Sequence, residues 1–158
     1  MANAESLFRL SALNTAYAAA IDADRLEAWP DFFTEDCLYK ITTDENHRRG
    51  QLAGIVYADS RGMLEDRVAA LRRANIYERH AYRHIIGMPS ILADDADGIR
   101  AETPFLVVRT MRTGEMSLFA AGRYLDHVVT AADGGLRFAE RLVICDSSRF
   151  DTLLAIPL

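Results

Sequence analysis

An α+β fold, with N-terminal helices packed in a strongly curved antiparallel sheet, is what the order of hydrophobic patterns predicts. Three observations lead there: an amphipathic helical stripe over residues 5–22, four long strand-like runs after residue 82, and three turn signals joining those runs back to back. Helices first and an antiparallel meander afterwards is the α+β arrangement.

The first helix is read from Leu7, Leu10, Leu13 (or Asn14 beside it), Tyr17 and Ile21, spaced three and four apart along one face. A short second helix follows over residues 24–33, with Leu26, Trp29, Phe32 and Phe33 apolar and Pro30 set to kink or end it. Residues 37–43 are β-branched and aromatic, which predicts a strand, and Ile55-Val56-Tyr57 predicts a shorter one. Between them residues 44–50 are polar throughout and read as a loop. Asp59 or Ser60 suits the N-cap of a third helix running to about Ala74.

Strand character then takes over. The runs are residues 83–92, 99–111, 116–130 and 136–146. They are separated by Asp94-Asp95-Ala96-Asp97-Gly98, by Thr113-Gly114 and by Asp133-Gly134-Gly135. Hairpin connections demand antiparallel pairing, since parallel neighbours need long crossovers. Four strands of such length must twist and curl. Laying the helical stripe into the concave face buries both and gives a cone of helices wrapped by sheet. Trp29, Phe32, Phe33, Leu106 and Phe119 are expected to fill it. No repeat, linker or low-complexity stretch interrupts the 158 residues, so the reading is one domain over 1–158.

Composition excludes several functions. Half the residues are hydrophobic and 26% are charged, an ordinary globular balance. The net charge of −5 and the interleaving of arginine with acid argue against nucleic acid or an anionic membrane surface as partner. No apolar stretch reaches the ~18 residues of a spanning helix. The first residues lack the basic and apolar regions of a signal peptide, so a cytoplasmic protein with Cys37 and Cys145 reduced is expected.

Few residues suggest chemistry. His80 and His84 lie four apart, but in a strand that spacing spans roughly 13 Å, too far to share a metal. Asp22, Tyr39 and His84 would project into the cone's mouth as an acid–base group, the pocket residues of a cofactor-independent isomerase or dehydratase. Arg67, Arg72, Arg73, Arg79 and Arg83, interleaved with Glu65, Asp66 and Glu78, form either a solvated face or a subunit contact. Arg79 and Arg83 are the contact candidates, because guanidinium makes forked pairs with carboxylates. A Rieske cluster needs Cys-x-His and Cys-x-x-His steps, and neither cysteine has a histidine within several residues.

Ala28-Trp29-Pro30-Asp31-Phe32-Phe33 with Cys37-Leu38-Tyr39 resembles the early signature of the small (beta) subunits of Rieske-type aromatic-ring-hydroxylating dioxygenases. Met63-Leu64-Glu65-Asp66-Arg67 is similar to that family's central helix, and Tyr82-Arg83-His84-Ile85-Ile86-Gly87 to the start of its sheet. Cys145-Asp146-Ser147 and Pro157-Leu158 resemble its ending. The likeness spans nearly the whole chain, and Asn75-Ile76-Tyr77-Glu78-Arg79-His80 with Thr113-Gly114-Glu115 is nearest the terephthalate branch. The resemblance implies a cystatin-like cone and a structural role in dihydroxylating an aromatic carboxylate. It implies assembly of three small with three large (alpha) subunits, the small ones touching one another. The Rieske 2Fe-2S cluster and mononuclear iron lie in the large subunit. It carries over no catalytic, cofactor-binding or metal residue to this chain.

Overall fold

Asn3 opens the first helix by accepting the Glu5 N–H on its side chain, and α1 then runs Ala4–Asp22. Asp24, in the left-handed region that aspartate tolerates, turns the chain away from it. A 3-10 helix, Leu26–Phe32, carries Pro30 inside it and leads straight into β1, Phe33–Thr43. The computed structural model describes residues 3–51, 54–74, 80–149 and 156–158. The remaining elements are α2 (Asp44–Arg48), β2 (Val56–Ala58), α3 (Arg61–Arg73), β3 (His80–Ile86), β4 (Ser90–Asp95), β5 (Gly98–Met111), β6 (Met116–Thr130) and β7 (Leu136–Cys145).

The strands form one sheet in the order β2-β1-β7-β6-β5-β3, with β4 also paired to β5. Gly114 and Gly134 take positive φ in the β5–β6 and β6–β7 turns, the positions where those hairpins need glycine. The sheet departs from the expected all-antiparallel pattern at one place. β1 pairs with β7 in parallel, from Leu38 opposite Glu140 to Thr43 opposite Cys145. Residues 44–135 lie between the two strands, so the long crossover that parallel pairing needs is available.

Two further differences have local causes. The run at 83–92 is two strands, broken at Gly87-Met88-Pro89, because proline cannot donate to a ladder. Both halves still pair with β5, one along each half of it. Residues 44–50, expected as a loop, begin with α2, whose N-terminus is capped by the Thr43 hydroxyl. Pairs Asp44 with Arg48 and Glu45 with Arg49 hold its turns. With no apolar stripe, that helix gave no periodic signal.

The core lies between α1 and the sheet. Leu10, Asn14, Tyr17, Ala18 and Ile21 are the buried face of α1, and Trp29, Phe33, Tyr39, Tyr124 and Phe138 meet them. Tyr17 sits edge-on to Phe33, Tyr124 and Phe138, with centroids 5.6–6.3 Å apart. Such pairings add ~0.5–1.5 kcal/mol each beyond their burial. Phe32 and Phe119 pack against this core partly exposed. Leu106 does not join it. Its neighbours Phe105 and Val107 point inward, so alternation turns Leu106 to the outer face.

Candidate functional site

Of the three pocket candidates, two come together. Asp22 is the last residue of α1, and β3 is the edge strand beside it. The Asp22 carboxylate accepts the His84 main-chain N–H at 2.8 Å, and the His84 Nδ1 lies 2.6 Å from its other oxygen. A tautomer with its proton on Nδ1 donates to this carboxylate. Both side chains are shielded, with 0% of His84 and 6% of Asp22 exposed. The His84 Nε2 is buried without a hydrogen-bond partner among the described residues. An aspartate holding one histidine nitrogen and leaving the other bare is the arrangement of a general base. The same carboxylate also blocks an exposed strand edge by satisfying its N–H. Asp22→Ala leaves two buried donors unpaired and is expected to cost ~1–3 kcal/mol. Thermal denaturation measures that cost, and loss of amide-exchange protection at His84 locates it.

Tyr39, the third candidate, belongs to another group. Its ring lies edge-on to Trp29 at 5.1 Å and Phe33 at 5.7 Å, and its hydroxyl bonds the main chain of Leu158. Burial raises its pKa well above the usual phenol range, so it does not titrate near neutrality.

The cone holds a network that the sequence reading missed. Arg141 on β7 is fully buried and grips Asp126 on β6 through two bonds of 2.8 Å. It also donates to Asn14 on α1. Its guanidinium stacks within 4.4, 3.9 and 3.8 Å of the ring centroids of Tyr17, Tyr124 and Phe138. Burial pushes the Asp126 carboxyl up and Arg141 opposes the push; the arginine stays charged because Asp126 offsets its own desolvation. The register that leaves the β6–β7 turn, with Thr130 opposite Leu136 and Val128 opposite Phe138, would set Asp126 against Glu140. A bulge between His127 and Val128 shifts the ladder by one and brings Arg141 opposite Asp126 instead.

The arginine belt separates into different uses. Arg72 ties α3 to the chain ahead of β1 through Asp24 and Glu27, at 2.7–3.0 Å. Arg79 lies outside the described residues. Arg83 is exposed on β3, on the same outer face as Ile85, and the register continues that face through Val108 to Leu118 and through Leu106 to Ala121. Ile85 is 56% and Leu118 74% exposed, a contiguous apolar surface beside an arginine. Burial pushes the thiols of Cys37 and Cys145 up to about 11 and about 12, and both are free. Among the described residues no group of three or more His, Cys, Asp or Glu is placed to hold a metal, and no helix is long and apolar enough to cross a membrane.

Residues 5–142 match the family described as SnoaL-like domain, which defines the class as a cone of helices and curved sheet. The beta 1 subunit of the terminal oxygenase component of terephthalate 1,2-dioxygenase, from a Comamonas species, is 55% identical over 95% of this chain and 97% of its own length. The anthranilate 1,2-dioxygenase small subunit of Burkholderia cepacia is 45% identical over 96% and 93%. A crystal structure from Novosphingobium aromaticivorans, assigned to the beta subunit of an aromatic-ring-hydroxylating dioxygenase, superposes with a TM-score of 0.88 at 40% identity over 96% of both chains. The chain belongs to the beta, or small, subunits of aromatic-ring-hydroxylating dioxygenases, within the SnoaL-like family.

Proposed function

We propose that residues 1–158 act as one domain, the structural and non-catalytic small subunit of a cytoplasmic oxygenase that dihydroxylates an aromatic carboxylate, terephthalate. The observation that carries this reading is the filled cone. Where a cone enzyme keeps room for substrate, this chain places Trp29, Phe33, Tyr124 and the Arg141 network, all fully buried. The terephthalate assignment draws on the 55% identity to a terephthalate 1,2-dioxygenase subunit across nearly the whole chain. In this reading the partner is a large subunit carrying the Rieske 2Fe-2S cluster and the mononuclear iron, three of each chain assembling together. No catalytic, cofactor-binding or metal residue falls to this chain.

Arg83 is the contact residue, with Arg79 beside it in sequence. An exposed arginine on the same outer face as Ile85 and Leu118 has the composition of an interface, where arginine and aromatic residues are enriched. Truncating one partner of a desolvated, hydrogen-bonded pair costs ~2–5 kcal/mol of association. Arg83→Ala is therefore expected to loosen the assembly while each intact large subunit keeps its iron chemistry. Sedimentation of the purified complex, beside single-turnover assays at high protein concentration, separates the two effects. A variant that stays assembled yet turns over slowly per iron argues against the structural role of Arg83.

A second reading, a free-standing isomerase or dehydratase, draws on the pairing of Asp22 with His84 and on the bare Nε2.

A further inference from the structure

Residues 156–158 return to the cone, where Ile156, Pro157 and Leu158 are all buried and Leu158 is fully so. The main-chain oxygen of Leu158 accepts the Tyr17 hydroxyl at 2.6 Å and the Tyr39 hydroxyl at 3.0 Å. Its N–H donates to the Tyr39 hydroxyl at 3.2 Å. The two phenols come from α1 and β1, and they converge on one atom of a residue more than a hundred positions away. Around them stand Trp29, edge-on to Tyr39 at 5.1 Å, and Phe33, 5.7 Å from Tyr39 and 6.3 Å from Tyr17.

An apolar, largely aromatic chamber in which a few polar groups meet at one point is how a small-molecule site is built. Leu158 fits it as a ligand would. Its branched side chain supplies the apolar body, and its main chain supplies an oxygen acceptor for two hydroxyls. Burial raises the pKa of both tyrosines, so both hydroxyls stay protonated and remain donors. Arg141, the buried cation stacked on Tyr17, already has its charge matched by Asp126. The recognition chemistry on offer is therefore two phenolic donors in an aromatic box.

We propose that the cone contains a binding site for small apolar compounds bearing a carbonyl or carboxyl oxygen, and that residues 156–158 occupy it in cis. The structure thus carries its own ligand, held by Tyr17 and Tyr39. The inference goes beyond the proposed function and agrees with it, since residues 156–158 keep the cone filled in the intact chain.

The test uses the chain and a variant lacking residues 156–158, with Trp29, the single tryptophan, as fluorescent reporter. Removing the segment empties the apolar space that Ile156, Pro157 and Leu158 fill, and an engineered apolar cavity of about 150 Å³ already takes a benzene ring. Benzamide and benzoate are the probes, toluene the control without an acceptor. The shortened chain is expected to bind benzamide or benzoate saturably and more tightly than toluene, and the comparison of the amide with the acid tells whether the site accepts charge. Adding Tyr39→Phe should weaken that binding about tenfold, the loss of one hydrogen bond. The full-length chain should bind either probe roughly a hundredfold more weakly, because the segment must first be displaced. A folded shortened chain that binds neither probe, or that prefers toluene, overturns the proposal. So does a full-length chain that binds as well as the shortened one. Where the shortened chain is unfolded alone, restoration of its near-UV signal by a probe or by the tripeptide Ile-Pro-Leu supports the site. Failure of all three to restore it refutes the site.

Discussion

Arg141→Ala is expected to destabilise the fold by ~3–5 kcal/mol, the usual cost of breaking a buried ion pair from one side. The variant leaves the Asp126 carboxylate fully buried with its two guanidinium bonds gone, and takes a bond from Asn14. It also empties the space between three aromatic rings. Against a total stability of ~5–15 kcal/mol, that loss brings the domain close to unfolding at room temperature. The double variant Arg141→Leu with Asp126→Leu should be much less costly than the single one, because no buried charge remains. Urea denaturation of the three proteins checks both statements. A single variant within ~1 kcal/mol of the natural chain would mean that water reaches Asp126, contrary to the packing described.

Phe33→Ala is expected to cost a comparable ~3–5 kcal/mol through lost burial and the cavity left behind. Phe33 is fully buried at the junction of the 3-10 helix and β1, and its ring meets Tyr17, Trp29, Tyr39 and Phe138 at 5.6–6.3 Å. Its carbonyl also receives the Arg61 guanidinium, so the same residue anchors α3 to the sheet. Phe33→Leu keeps most of the apolar volume and should cost less than half as much. The denaturation midpoints of the two variants distinguish a packed centre, where they differ widely, from a forgiving periphery, where they coincide.

How much could be read beforehand depended on the kind of signal. The α1 stripe, the glycine turns at Gly114 and Gly134 and the long hairpins were legible because periodicity and turn chemistry are local. The parallel pairing of β1 with β7 was not, because nothing in residues 33–43 names the strand beside them. α2 was hidden by its uniform polarity, and the division of β3 from β4 turned on a single proline. At the site, Asp22 and His84 were named but Tyr39 was placed with them wrongly. Its inward position was legible; which wall of the cone it would face depends on the β1 register, a tertiary fact. The network of Asp126, Arg141 and Asn14 was not legible, because a bulge between His127 and Val128 sets the register that pairs Asp126 with Arg141, and Asn14 reaches them only through the packing of α1.

The central claim is that this chain supports oxygenase chemistry without taking part in it, and the pairing of Asp22 with His84 is where that claim is most exposed. His84→Gln, with the large subunit present, gives the direct measurement: single-turnover rate per iron, with sedimentation confirming assembly. The structural account predicts a rate per iron equal to that of the natural complex once assembly is equal. General acid–base groups typically contribute ~10²–10⁴-fold to a rate. A fully assembled His84→Gln complex that turns over about a hundredfold more slowly per iron would contradict the account and make His84 a participant in the chemistry.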